Sequence, residues 1–475
     1  MMSLIKTTLM LLLLQAGASH AADLLQPCRV DGFEQQVQCG QLLRPLNPAE
    51  AGGKQITIHF IILPAQDKAK VAEPVFLLAG GPGQSAINVA RWMQVLFEKL
   101  QRRHDLVFID QRGTGKSFAL NCVEENDLNA IGDAEYAVRA ARKCQAELEK
   151  LIDLRWFTTS LAMQDLDAVR AALAYNKINL IGVSYGTRAA LEYERQFPAH
   201  VQRMVLDGVV QPEQMFTGGD MQQALTQLFS DCARDERCRQ AYPTLPQDWK
   251  KLLASLPRTT QLTHPRLGYS QSAKVGREDV LGWVAQVLYS PVNSAALPRA
   301  IMQALQNNFN PLLALSGAGN LPNPGSIAYG MHFSVVCAEE YPPRGQPVVD
   351  DFSVLQTSLY ANVCAHWPHG PVAPEFYHVP VSQSAVLLLS GGIDPVTPPY
   401  HAQQVARELG TRVRQIVLEH SGHGMLQQAC LADVATNFID ANTDQQALDV
   451  DASCVRQIPR PSAWIAPLLP TGRQP

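Results

Sequence analysis

Three side chains in this sequence of 475 residues have the types and the order needed for acyl transfer: Ser184, Asp394 and His423. A serine hydroxyl is a weak nucleophile until a base takes its proton, and the base needs an acid to orient it. Ser184 lies in Gly182-Val183-Ser184-Tyr185-Gly186, after an apolar run and before a helical stretch, Thr187 to Gln196. A sharp strand-to-helix turn would lift the hydroxyl clear of a sheet, with glycines flanking it where a side chain would collide with backbone. The N-terminus of the following helix would add partial positive charge where an oxyanion develops. Asp394 follows Ala385–Leu389 (AVLLL) in the turn Ser390-Gly391-Gly392-Ile393-Asp394-Pro395, and His423 follows Gln415–Leu418 (QIVL) in Glu419-His420-Ser421-Gly422-His423-Gly424. Both therefore stand at strand ends, where an open parallel sheet presents its ligands.

The chain order Ser, Asp, His is the order of α/β-hydrolases. His420 competes for the role of base, but it lies at the strand end, whereas His423 sits further out between glycines, where its ring can reach across to Ser184. An oxyanion needs two backbone N–H donors. Tyr185, next after the serine, supplies one; the second is assigned to Gly81 in Ala79-Gly80-Gly81-Pro82-Gly83-Gln84, because Pro82 has no N–H. Arg112-Gly113-Thr114-Gly115-Lys116-Ser117 ends like a phosphate-binding loop, but the first glycine of that motif would fall on Asp110. His366, His369 and the other histidines lack companions at metal-ligand spacing, so neither metal nor cofactor is implied.

The elements that must position these residues read as an α/β sheet. Gln55–Leu63 alternates apolar and polar residues and suits an outer strand; Val75–Leu78, Leu106–Ile109, Ile178–Val183, Val205–Leu206, Ala385–Leu389 and Gln415–Leu418 are short apolar runs of the kind buried on both faces of a parallel sheet. Ser160 to Ala174 has a helical period with Leu161, Leu166, Val169 and Leu173 on one side and Ser160 as its expected cap. From about Gln211 to Pro380 the pattern turns helical and Pro-punctuated, with helices expected over Asp220–Cys232, Arg277–Leu288 and Leu297–Asn307. The expected division is a signal peptide over 1–21, a core over 22–210, an inserted, mainly helical cap over 211–380, and the rest of the core with a C-terminal tail over 381–475.

Lys6, the apolar run Leu9–Leu14 and small residues ending at Ala21, or alternatively at Ala18, form the pattern of an export signal, too short to span a bilayer. Ten cysteines fall as five successive near neighbours, which suggests local disulfides Cys28–Cys39, Cys122–Cys144, Cys232–Cys238, Cys337–Cys364 and Cys430–Cys454. Spacing alone does not fix that connectivity. With 46% apolar residues, 17% charged residues and a net charge of −4, the chain has the composition of a folded protein and gives no reason to expect nucleic acid or an anionic membrane as partner. A periplasmic or extracellular location follows, without stable membrane insertion once the signal is cleaved.

The motifs Gly80–Ser85 (GGPGQS), Asp110–Ser117 (DQRGTGKS), Gly182–Thr187 (GVSYGT), Leu206–Pro212 (LDGVVQP), Gly391–Pro399 (GGIDPVTPP) and Ser421–Gly424 (SGHG) resemble the proline iminopeptidase and tripeptidyl aminopeptidase family of α/β-hydrolases. Length, signal and closing segment look more like the secreted tripeptidyl branch. The resemblance implies a serine peptidase that takes residues from peptide N-termini beneath a helical cap, with peptides as its partners and Ser184, Asp394 and His423 as its triad. Two departures stand out: Ala79 replaces the histidine frequent before Gly-Gly-Pro-Gly, and Val-Ser-Tyr replaces Gly-Ser-Trp, so strict proline preference is not implied. Cap carboxylates in the family bind the substrate α-amine; Glu339 and Glu340, beside Cys337, are the matching candidates, against the plain alternative of a solvated surface pair. A carboxylesterase with the same triad, or a catalytically silent binding protein on the same fold, are the competing functions.

Overall fold

The computed structural model describes residues 24–68, 72–122, 134–214, 218–317, 327–342, 350–428 and 430–465. The export-signal segment lies outside the described residues.

Among the described residues, nine strands form one sheet in the order β1-β2-β3-β5-β4-β6-β7-β10-β11. They are β1 (Leu25–Cys28), β2 (Val37–Pro45), β3 (Gln55–Leu63), β4 (Val75–Leu78), β5 (Leu106–Ile109), β6 (Ile178–Val183), β7 (Val201–Asp207), β10 (Ala385–Gly391) and β11 (Val413–Leu418). From β5 to β11 every pairing is parallel, while β1, β2 and β3 add an antiparallel margin. Gln55–Leu63 is therefore not outermost, because two further strands lie beyond it. Their polar and cysteine-bearing sequences carry little apolar signal.

The central strands are apolar throughout because both faces are covered. On β4 and β5, Phe76, Leu78, Val107 and Ile109 enter one core cluster, while Val75, Leu77, Leu106 and Phe108 enter the cluster on the opposite face. That split follows the two-residue period of a strand. Helices α1 (Ala86–Leu96), α2 (Ala134–Leu148), α3 (Thr159–Ala172) and α4 (Tyr185–Gln196) flank the sheet. The expected cap of α3 is corrected: Thr158 holds the N-cap position, and Ser160 Oγ instead donates to Glu192 Oε1 at 2.7 Å.

Between β7 and β10 the chain builds a separate apolar cluster from α5 (Gly219–Arg234), α6 (Arg277–Leu288), a helix over Leu297–Leu305 and a two-stranded hairpin of β8 (Arg258–Thr263) and β9 (Ser270–Val275). The last helices of this segment behave differently. On α7 (Tyr329–Glu339), Met331, Val335 and Val336 pack into the sheet's own core, and α8 (Asp351–Cys364) places Phe352 in the cap cluster but Tyr360 and Val363 in the core. The inserted segment is thus anchored by α7 and α8 directly beside the strand ends. A helix over Pro399–Leu409 follows β10.

Five disulfides join Cys28 to Cys39, Cys122 to Cys144, Cys232 to Cys238, Cys337 to Cys364 and Cys430 to Cys454. The Cys337–Cys364 bridge ties α7 to α8. The C-terminal segment runs on to the cap, where Trp464 N–H donates to Ala295 O at 2.9 Å and the Arg299 guanidinium lies 4.3 Å from the Trp464 ring. Among the described residues, no helix is long and apolar enough to cross a membrane.

Candidate active site

Ser184 occupies the turn between β6 and α4, with φ 55° and ψ −124°. A positive φ is strained for a residue with a Cβ, and here the turn is held from both sides. A Cβ on Gly182 would lie 2.4 Å from Gly186 O, and one on Gly186 would lie 2.3 Å from Leu78 O. Neither contact is physically possible, so both positions demand glycine. Ser184 N–H donates to Asp207 O at 2.8 Å, which ties the turn to the end of β7. The loop after β4 passes directly alongside, since a Cβ on Gly80 would sit 3.4 Å from Ser184 Cβ. This brings Gly81 and the first N–H of α4, that of Tyr185, to the same corner as the serine. The first N–H groups of a helix have no partner within it.

His423 and Asp394 meet at the neighbouring strand ends, with His423 Nδ1 donating to Asp394 Oδ2 at 2.8 Å. Asp394 is fully enclosed and fully satisfied: Oδ1 accepts the Val396 and Thr397 N–H groups at 2.9 Å, and Oδ2 also accepts the Thr397 hydroxyl at 2.7 Å. Burial opposes its charge, but His423 and these donors hold its pKa below the ordinary carboxylate value. Burial likewise works against a charged imidazole, yet the charge and hydrogen bond of Asp394, with Asp207 behind, raise the His423 pKa. The imidazole lies against Gly208, whose added Cβ would be 3.0 Å from His423 Cε1. Gly208 directly follows the residue that binds the Ser184 N–H, so His423 and Ser184 flank one turn. His420 is exposed on the rim.

The alpha/beta hydrolase fold family matches residues 73–427. The chain belongs to the α/β-hydrolase family. Serine protease Hip1 of Mycobacterium tuberculosis is 24% identical over 472 residues, covering 88% of each chain. Tripeptidyl aminopeptidase of Streptomyces lividans is 30% identical over 214 residues, covering 42% of this chain and 40% of that one. Carboxylesterase B of Mycobacterium tuberculosis is 26% identical over 420 residues, 78% of each. Within this α/β-hydrolase, the geometry of the site is that of a serine hydrolase.

Several residues that support the site carry no catalytic pattern in sequence. Asp207 accepts the Met425 and Leu426 N–H groups at 2.8 and 2.9 Å and so fixes the chain just beyond His423; burial pushes its carboxyl up to about 6. Asp110 plays the same part for the Gly-rich loop, accepting the Ser85 hydroxyl at 2.6 Å, the Ile87 N–H at 3.2 Å and the Lys116 N–H at 3.0 Å. The segment that ends like a phosphate loop is therefore wrapped around a carboxylate of its own. Tyr289, at the end of α6, accepts the His423 N–H on its carbonyl at 3.0 Å and sets its ring edge-on to the imidazole, 5.3 Å between centroids. The signals for Asp207 and Asp110 lay inside recurring motifs, whereas Tyr289 carried none.

Glu339 and Glu340 are buried, at 2% and 9% exposure, which rules out a solvated surface pair. Glu339 accepts the Thr159 N–H at 2.6 Å and its hydroxyl at 2.8 Å; Thr159 Oγ1 in turn lies 2.7 Å from the Tyr185 hydroxyl. Burial pushes the Glu339 carboxyl up to about 7, against the pull of Arg188 and Thr159. Glu340 Oε1 accepts Arg188 Nη1 at 2.5 Å. Arg188 and Tyr185 both belong to the first turn of α4, so the pair stands directly behind the nucleophile turn. Among the described residues, no group of three or more His, Cys, Asp or Glu is arranged to hold a metal ion.

Proposed function

We propose that this chain is an exported serine aminopeptidase that hydrolyses peptide bonds near free N-termini through an acyl-enzyme on Ser184. His423 takes the Ser184 proton as the hydroxyl attacks the scissile carbonyl, and Asp394 holds the imidazolium that forms. The N–H groups of Gly81 and Tyr185 receive the oxyanion. His423 then returns the proton to the leaving amine, and water repeats the sequence in reverse to release the acyl group. The glycines that flank Ser184, the close approach of Gly80 to it and the satisfied Asp394 support this assignment.

One observation favours a peptidase over an ester hydrolase: two buried carboxylates on the last turn of α7, against the first turn of α4. Arg188 offsets one charge of the pair, and an uncharged ester offers nothing to the other. A substrate α-amine, cationic below about pH 8, is the partner such a pair suits. In this reading Glu340 receives the ammonium and Glu339 backs it. The Streptomyces relative named as a tripeptidyl aminopeptidase supports the same reading, and the carboxylesterase B relative marks the alternative. Five disulfides support an oxidising compartment outside the cytoplasm.

The test compares an alanyl peptide anilide bearing a free amine with its N-acetylated form. The free amine is expected to be cleaved with a kcat/KM at least ~100-fold higher, about the worth of a paired buried charge. Equal cleavage overturns the aminopeptidase reading and leaves the hydrolase intact. Ser184→Ala is expected to abolish turnover while the melting temperature stays within a few degrees.

A further inference from the structure

The Gly-rich loop that carries Gly81 takes restraints from beyond its own residues. Gly81 and Gly83 have φ of 113° and 105°, backbone states that cost glycine little to enter or leave. Inside the loop, Gln84 N–H donates to Gly80 O at 3.4 Å and Gly80 N–H donates to Gln84 Oε1 at 3.2 Å. An oxyanion donor must stay in place to be useful, because its value comes from costing no reorganisation during the reaction.

Beyond Asp110, a further restraint arrives from the segment between β7 and β10. Gly83 O accepts the Ala328 N–H at 2.9 Å, and Gln84 pairs antiparallel with Ile327, so the entry to α7 runs along the loop as a strand would. One turn into α7, His332 places Nδ1 3.3 Å from Pro82 O and Nε2 3.0 Å from the Tyr360 hydroxyl. A carbonyl oxygen can only accept, so Nδ1 carries the proton; Nε2 of the neutral ring is then bare and accepts from Tyr360. Each partner thus fixes one nitrogen, and the tautomer is determined by chemistry. Burial lowers the His332 pKa, with Glu340 opposing, which keeps the ring in this neutral form. Tyr360 is itself anchored, because α8 is bound to α7 through Cys337–Cys364.

We propose that His332 is a positioning residue for acyl transfer: through the Pro82 carbonyl it holds the Gly80–Gly83 loop so that the Gly81 N–H points at the developing oxyanion. The proposal rests on the reading of Gly81 as an oxyanion donor. It also gives the inserted segment a second task, since the helix that carries Glu339 and Glu340 would also set the loop on which the rate depends.

The experiment measures kcat and KM on the free-amine anilide, and the affinity of phenylboronic acid, for the wild type, His332→Ala, His332→Gln and Tyr360→Phe. Phenylboronic acid forms a tetrahedral adduct on the serine and is too small to reach an amine site. For His332→Ala, kcat is expected to fall about 10- to 100-fold, less than the ~10²- to 10³-fold typical of deleting a donor outright, with KM within about twofold. Boronate affinity should fall by a similar factor to kcat. His332→Gln should recover most of the loss, because its amide N–H can reach the same carbonyl, and Tyr360→Phe should lose only a few-fold.

Wild-type kcat in His332→Ala, or a loss confined to KM, overturns the role. Equal losses in the Ala and Gln variants with a lowered melting temperature make the residue structural and overturn it as well. A wild type that labels with a fluorophosphonate yet ignores the boronate brings down the oxyanion reading itself, and His332's role with it.

Discussion

Arg112 and Arg188 are equally buried, each 1% exposed and each facing a carboxylate, yet they hold different things together. Arg112 lies in the core. It grips Asp165 with Nε and Nη2 at 2.8 and 2.9 Å, and its remaining donors reach the carbonyls of Leu46, Trp156 and Pro45. Arg44 adds a second hold on the same aspartate. Arg188 spans two parts of the molecule: from α4 it binds Glu340 at the end of α7 and the carbonyls of Gln211 and Gln214, while its Nε has no partner among the described residues. A buried ion pair with every donor used rigidifies a fold, and one left incomplete beside a site has capacity to respond to a ligand. The same contrast runs through the whole site. In the proposed site the core half, Ser184, Asp394 and His423, is locked by backbone, whereas the proposed cap half, Glu340, Tyr289 and His332, reaches in on side chains and one carbonyl.

The largest expected effect tests the core half. Asp394→Asn should lower kcat by about 10⁴-fold, because the imidazole loses both its orientation and its compensating charge. The pH profile should move as well. In the proposed mechanism His423 acts only when neutral, and its pKa is raised above the ordinary value, so activity in the parent protein should be gained as pH rises through that higher value. Removing the Asp394 charge leaves burial, which lowers the ring's pKa, so the acid limb should shift to lower pH. An unshifted limb in kcat/KM would mean that another group sets it.

Next in size, Arg112→Met strips a buried aspartate of its main partner. Unfolding by denaturant should show a loss of about 3–5 kcal/mol, with kcat of the folded fraction nearly unchanged. Arg188→Met should cost less stability, because fewer acceptors lose a donor, and its signature should be kinetic. Without Arg188 the enclosed Glu340 loses the donor that orients its carboxylate toward the site, so KM for the free-amine anilide should rise about tenfold. If both variants lose stability alike with KM unmoved, the two arginines are equivalent and the cap half has no separate role in substrate capture.

The apolar runs that became β4, β5, β6 and β10 were readable because strands covered on both faces have no polar positions to disguise them. The serine turn was readable for a related reason: two glycines with backbone packed against them leave a spacing that survives as text. β1 and β2 were hidden, since an edge strand with one wet face needs little apolar sequence. Glu339 and Glu340 could be named but not situated. Whether a Glu-Glu pair is solvated or buried depends on Thr159 and Arg188, about 180 and 150 residues away along the chain. Tyr289 acts through its carbonyl, a group every residue has, and so left no trace in composition.

By itself, then, the sequence determined the order of Ser184, Asp394 and His423, the strands that carry them, and the glycines that let the serine turn form. Each of those depends on neighbours within a few residues or on the local period of apolar side chains. Only the tertiary structure decided which groups stand behind the serine and what steadies the loop beside it. Those contacts join α4, α7, α8 and the loop after β4, segments far apart in the chain, and their strength comes from burial, which exists only once the segments meet.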